Sequence, residues 1–496
     1  MRRRAAGRAP TASGAERAGL DGTGLHGAGA ARGRALALAA MIAALLSALA
    51  LGANRPVSWN ALVITAAAML ALRALDDLRR PPPGAMAAAA LAPCVLWIGV
   101  VAWALLQSAP AASGWTPARW AHPVWTAVDA EEAIRSISAD PFAGPTLAAR
   151  LAAYAGMFWI AARAALDART ALLLTGVAAL FSTGLATYGL VAATTGVNPI
   201  LGLDGGPTVV TASFVNRNSY ATFAAFGVLA NLAMALRAAR GVGSLREGVE
   251  RFFAGMWLFA LGALVCATAL AATQSRAGVA AGAAGLIVFL VAWARRGGGR
   301  AGGVILALAI TAFVAAIAGS GVVRRALGSG VEEVRFIVYP HVLEAARERL
   351  WLGHGLGAFQ DVFRAHVPLE AAIGEWDKAH NSYLENLFEL GLPATVAFYL
   401  ALALVVARIA RGAARRRRNH IHACLALGVA TTAALHSAFD FSLQMPATAA
   451  LFALLLGIGW AQSFRERELH GAPPGGGQLD RNAIPASSRT AVRTPE

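Results

Sequence analysis

HNSYLENLFELGLPATVAFYLALALVVA, residues 380–407, decides the fold class. It opens with the polar pair His380 and Asn381. It passes through Gly391 and continues as an almost uninterrupted apolar run, with ARRRR following at 414–418. About twenty apolar residues in helical conformation cross the hydrocarbon core of a bilayer. Lipid offers backbone groups no partners, so such a run must satisfy them internally as a helix.

The same pattern recurs along the chain. The 496 residues are 57% hydrophobic and only 14% charged, against about a quarter charged in a soluble domain. Twelve spans are expected, near 35–53, 57–75, 86–107, 146–165, 170–193, 217–236, 252–273, 277–294, 302–321, 386–407, 421–439 and 447–463. The fold class read from this is an all-α polytopic membrane helix bundle. Residues 1–34, rich in Arg, Gly and Ala, are expected to be a disordered basic cytoplasmic tail. ALALGAN at 48–54 faintly resembles a signal cleavage site, but the apolar stretch before it is long for a signal core and reads as a retained span. Residues 464–496, which include PPGGG, are expected to be a second disordered tail, leaving 35–463 as the transmembrane domain.

A formal charge of +16 in a soluble chain would suggest nucleic acid. Here the arginines flank apolar spans and set orientation instead. With the N-terminus inside, about 30 of the 43 basic residues fall on the inner side, as the positive-inside rule requires. Three outer loops follow from that orientation: 108–145, 194–216 and the long 322–385. The third contains an amphipathic stretch, 331–363, expected to lie as helix on the outer surface. His380 therefore faces the periplasmic side.

Arginines that remain outside need a reason. Arg217 in SFVNRNSYA, Arg276 in TQSRAG and Arg335 in EEVRF stand at or near span ends. Each reads either as a snorkelling cation or as a fork of donors for phosphate oxygens. Arg324, Arg325, Arg347, Arg349 and Arg364 read as solvated loop charges. His380 can accept a proton near neutral pH. Asn381 reads as its partner, as a sugar contact or as a helix cap. Glu375 and Asp377 are candidates to orient His380, or a solvated acidic loop. His436 and Asp440, in HSAFDFSLQMP, read as a polar pair that supports the site or as a helix-end pair without chemistry. His354 and His366 lack a third ligand nearby, and Cys94, Cys266 and Cys424 fall in apolar spans, so no metal site or disulfide framework is expected. No P-loop, Asp-x-Asp or Gly-x-Ser-x-Gly motif is present, which argues against ATP hydrolysis, metal-held nucleotide sugars and a serine nucleophile.

Taken together, FVNRNSYATFAAF (214–226), TQSRAGVAAG (273–282), RERLWLGHGLGAF (347–359), HNSYLENLFELGLPA (380–394) and the closing HSAFDFSLQMPATAALFALLLG (436–457) resemble the O-antigen ligase/O-antigen polymerase superfamily. The resemblance covers roughly 200–460. The His-Asn, nine residues, Gly391 pattern is similar to that of its ligases. It implies a membrane glycosyltransferase, independent of metal, ATP or other cofactor. The donor would be an undecaprenyl-diphosphate-linked glycan, and the acceptor lipid A–core or a growing glycan. His380 would be the base and Arg217, Arg276 and Arg335 would bind the diphosphate. Asn216, Asn218, Asn381, Gly391, His436 and Asp440 would support the site. A polymerase of the same superfamily remains an alternative, as does a glycolipid flippase or permease of a different class.

Overall fold

The computed structural model describes residues 14–115, 117–131, 135–200, 202–204, 209–239, 245–297, 331–372, 374–416 and 420–470. Its helices, in chain order, are α1 (Gly14–Leu49), α2 (Pro56–Arg79), α3 (Gly84–Ser108), α4 (Val124–Ala127), α5 (Ala143–Ala164) and α6 (Ala168–Thr195). They continue as α7 (Arg217–Ala238), α8 (Leu245–Arg251), α9 (Trp257–Ala272), α10 (Arg276–Gly297), α11 (Val331–Glu348) and α12 (Phe359–Phe363). The last are α13 (Ser382–Leu390), α14 (Leu392–Arg415), α15 (Ile421–His436), α16 (Pro446–Ala461) and α17 (Glu466–His470). The strands among the described residues are one antiparallel pair, Val197–Asn198 with Leu203–Asp204. The architecture is all-α.

Seven helical segments are long and apolar enough to cross a membrane: Gly29–Leu49, Gly84–Ser108, Ala168–Thr195, Arg217–Ala238, Arg246–Ala272, Arg276–Arg295 and Leu392–Arg415. α15 and α16 are apolar but shorter. α2 and α5 lie where spans were expected, yet charged side chains lower their hydropathy. Those charges pair across and within the helices: Arg163 of α5 reaches Asp77 of α2 at 2.8 Å, and Arg73, one turn earlier in α2, reaches the same carboxylate at 3.1 Å. The expected span at 302–321 lies outside the described residues. α1 begins at Gly14, inside the stretch expected as a tail. The expected span at 386–407 begins instead at Leu392, because the chain breaks its helix at Gly391.

α7 is the central helix and is buried almost throughout. Small residues let its neighbours close on it and on one another, as in membrane bundles generally. A side chain on Gly227 would strike Ser182 and Cys266 at 3.0 Å or less, and one on Gly428 of α15 would lie 2.8 Å from the Gly285 carbonyl of α10. The first sets α7 against α6 and α9, and the second sets α15 against α10. The ion pairs of Asp77 and the Arg34–Asp167 contact gather at one end of the bundle. The 108–142 and 331–385 segments pack together at the other.

That second end is a small folded cap. Val338, Val342, Phe359, Phe363 and Phe388 share a buried cluster that joins α11, α12 and α13. The amphipathic stretch 331–363 is thus two helices joined by a turn. Its apolar face packs on α13 and the loops beside it.

Candidate active site

The nine residues between Asn381 and Gly391 are α13 itself, nine residues long. Asn381 is its N-cap: its Oδ1 accepts from the backbone N–H of Tyr383 at 3.1 Å and of Leu384 at 3.2 Å. Asn side chains favour this role because the first turn of a helix leaves N–H groups unpaired. The capping alternative for Asn381 is therefore realised. It places His380 just before the helix, at φ +52°. Left-handed backbone costs a residue with a Cβ roughly 1–2 kcal/mol. The surroundings hold it there: Tyr339 of α11 donates its hydroxyl to the His380 carbonyl at 3.0 Å.

The His380 ring turns Nδ1 toward Oδ1 of Asp440, 3.8 Å away. That is ion-pair reach and longer than a hydrogen bond; such contacts often tighten only when substrate is bound. The His380 side chain is 19% exposed and Asp440 is 0% exposed, so the pair has an open side and a buried side. Trp376 and Phe441 flank the ring edge-on, with centroids 6.0 and 5.0 Å away. Asp440, not Glu375 or Asp377, is the carboxylate that faces His380. Glu375 is exposed and contacts Arg364 at 3.4 Å.

Asp440 stands in the turn between α15 and α16. Ser442 donates to its Oδ2, and Asn218 Nδ2 reaches its Oδ1 at 3.4 Å. Ser382 Oγ donates to its backbone carbonyl at 3.0 Å. Burial alone would raise the Asp440 carboxyl, but the facing His380, His436 and Ser442 outweigh it and hold its pKa below the ordinary value. His436 lies behind, with Nδ1 2.5 Å from Thr222 Oγ1 and 3.3 Å from Ser442 Oγ. His436 is buried and touches the same Ser442 that donates to Asp440.

Asn216 caps α7, accepting from the Asn218 N–H at 2.7 Å. Arg217 is the first residue of that helix and Arg276 the first of α10. The two helix starts are adjacent: a side chain on Gly278 would lie 2.6 Å from Ala221. Arg335 comes from α11, one turn before Tyr339, and donates Nη1 to the Phe439 carbonyl at 3.2 Å. The fold thus gathers the 216–218 element, the 273–278 turn, α11 and the 380–381 pair at one end of the bundle.

Other polar residues of this end serve the scaffold. Arg349 is no solvated charge: it donates Nε to the Gly353 carbonyl and Nη2 to the Trp120 carbonyl, both at 2.9 Å. His354 Nδ1 lies 2.9 Å from His122 Nε2, and its own Nε2 lies 2.9 Å from the Ala345 carbonyl. Burial, with help from Arg349, lowers His354 to about 4 and His122 to about 3, so both are neutral at pH 7. His366 contacts Glu348. Among the described residues no three His, Cys, Asp or Glu side chains stand together as a metal centre would need. The reading from sequence passed over Tyr339, Lys378 and Glu385. Two acids four positions apart in the short helix after His380, Glu385 and Glu389, were the available signal.

Residues 261–399 match the family model described as O-antigen ligase. The match takes in Arg276, Arg335, His380, Asn381 and Gly391; Arg217 and Asp440 lie outside it. No curated protein matches the chain. The chain thus carries, over 261–399, a domain of the O-antigen ligase/polymerase superfamily.

Proposed function

We propose that this protein is an inverting membrane glycosyltransferase that acts at the periplasmic face of a bacterial inner membrane. It moves a glycan from an undecaprenyl-diphosphate carrier to a hydroxyl acceptor, as in O-antigen ligation to lipid A–core. The observation that carries this reading is the half-open pair of His380 and Asp440, with Arg335 beside it. Asp440 faces Nδ1 and leaves Nε2 as the proton acceptor.

In this reading the acceptor hydroxyl gives its proton to His380 Nε2 as its oxygen attacks the anomeric carbon. The bond from that carbon to the diphosphate oxygen breaks, and the electron pair leaves with the diphosphate. Arg217, Arg276 and Arg335 neutralise the charge that develops there. Attack opposite the leaving group inverts the anomeric centre. The energy resides in the donor, so the step consumes no ATP.

The test is a reconstituted transfer assay with purified protein in detergent, undecaprenyl-diphosphate-linked glycan and lipid A–core, with EDTA and without ATP. Wild type and His380→Ala run side by side. Lipid A–core product from wild type alone supports a ligase. Longer carrier-linked chains without that product mark a polymerase. Transfer by His380→Ala at the wild-type rate removes His380 from the chemistry. No transfer product from wild type, with carrier-linked glycan crossing the bilayer once the protein is placed in sealed liposomes, makes the protein a flippase.

A further inference from the structure

One buried carboxylate holds both sides of the His380–Asp440 pair. Glu385 lies on α13 with its side chain 1% exposed. Its Oε2 accepts from the backbone N–H of Ala379, the residue before His380, at 2.9 Å. Its Oε1 accepts from Gln444 Nε2 at 2.9 Å, in the turn that follows Asp440. The same oxygen meets the ammonium of Lys378 at 3.2 Å. Burial works against that ammonium, yet Glu385 and Glu389 outweigh it and raise its pKa, so the cluster keeps a charged cation opposite Glu385.

Two separate chain segments must meet to bring the His380 ring to Asp440. His380 also sits in left-handed backbone that needs outside support. Glu385 reaches both segments from a rigid helix that begins directly after His380. An apolar residue of similar size at this position would leave the N–H of Ala379, the amide of Gln444 and the Lys378 ammonium without their shared acceptor. Buried donors are costly to leave unmet, so the surrounding segments would shift to find others.

We infer that Glu385 is a positioning residue for the transfer reaction: it sets the distance between His380 and Asp440 without touching substrate. The inference rests on the functional reading above. A shift of about 1 Å at a reacting group costs on the order of 10²-fold in rate. Substrate binding, which this residue does not contact, should change little.

The experiment uses full-length protein in detergent and the transfer assay, with kcat and donor KM measured for Glu385→Ala, Glu385→Gln and Asp440→Asn. The double variant Glu385→Ala/Asp440→Asn is included. Thermal midpoints are recorded for all. Glu385→Ala should lose roughly 10²-fold in kcat with KM within about threefold. Glu385→Gln, whose carbonyl can still accept from Ala379, should fall between it and wild type. The double variant should lose less than the product of the single losses, because both act through His380. Wild-type kcat in Glu385→Ala, multiplicative losses, or a rate that only tracks the amount of folded protein would overturn the assignment. If Glu385→Ala does not fold, the comparison of Glu385→Gln with Asp440→Asn makes the same decision. If His380→Ala transfers as well as wild type, the functional reading falls first and this inference with it.

Discussion

Gly353 and Gly391 meet backbone to backbone. A Cβ on Gly391 would lie 2.8 Å from the Gly353 nitrogen, and a Cβ on Gly353 would lie 2.6 Å from the Gly391 nitrogen. The two glycines belong to separate sequence elements, GHGLGAF and the His-Asn pattern. Their contact docks the loop after α11 against the junction of α13 and α14. It explains why nine residues and then a glycine follow Asn381: the site helix needs that length and a side-chain-free end.

Gly391→Ala should therefore damage the cap. Its φ of +76° and ψ of 167° belong to a region that is essentially glycine-only, where other residues pay about 1–3 kcal/mol before any clash. We expect a lower thermal midpoint, faster proteolysis within 349–358 and reduced transfer. A Gly391→Ala protein with wild-type stability would contradict the close contact.

His380→Ala and Asp440→Asn should separate two roles. Loss of a general base costs typically 10²–10⁴-fold in rate, so His380→Ala should fall in that range while remaining folded. Asp440→Asn keeps the shape and removes the charge that faces Nδ1, so it should lower kcat with little effect on donor KM. Equal activity of Asp440→Asn and wild type would show that the 3.8 Å contact has no part in the reaction.

Arg335→Lys should not replace Arg335. Lysine keeps a charge but lacks the planar fork that spans phosphate oxygens, and its geometry toward the Phe439 carbonyl differs. Removal of one donor that stabilises developing charge costs about 10²–10³-fold in kcat elsewhere, so Arg335→Ala should lose up to that amount. Steady-state kinetics with the lipid-linked donor at two salt concentrations measures it. A loss confined to thermal stability would reassign Arg335 to the scaffold.

The cap should loosen in acid. His354 and His122 are held neutral in the fold, with pKa values near 4 and 3 against an ordinary 6.5. Between about 4 and 6.5 the unfolded segments bind more protons than the folded ones, so stability rises with pH across that window. The contribution is fully present above 6.5 and is lost as pH falls toward 4. Hydrogen exchange across 108–131 and 349–358, corrected for intrinsic rates, should quicken from pH 7 to pH 5. His354→Gln should flatten that dependence; an unchanged slope would point to other groups.

The membrane class, the helical spans and the order of the polar motifs were legible in the residues alone. Apolar length and charge bias are local properties, and the bilayer imposes them span by span. The start of the 386–407 span was misplaced because an apolar count cannot see that Gly391 ends one helix and Leu392 begins another. Arg349 looked solvated for a related reason: its carbonyl partner at Trp120 becomes a neighbour only when the segment after α3 folds against the one after α11.

What faces His380 was decided by tertiary structure. The sequence placed Glu375 and Asp377 nearest and left His436 with Asp440 open. Packing of α7, α10 and α15 through glycine contacts brings Asn218, Thr222 and the Asp440 turn together, and Glu385 ties that turn to the residue before His380. A carboxylate can stay charged in a buried site only where donors and cations converge on it. That convergence depends on helix crossings between residues far apart in the chain, and no local pattern encodes it.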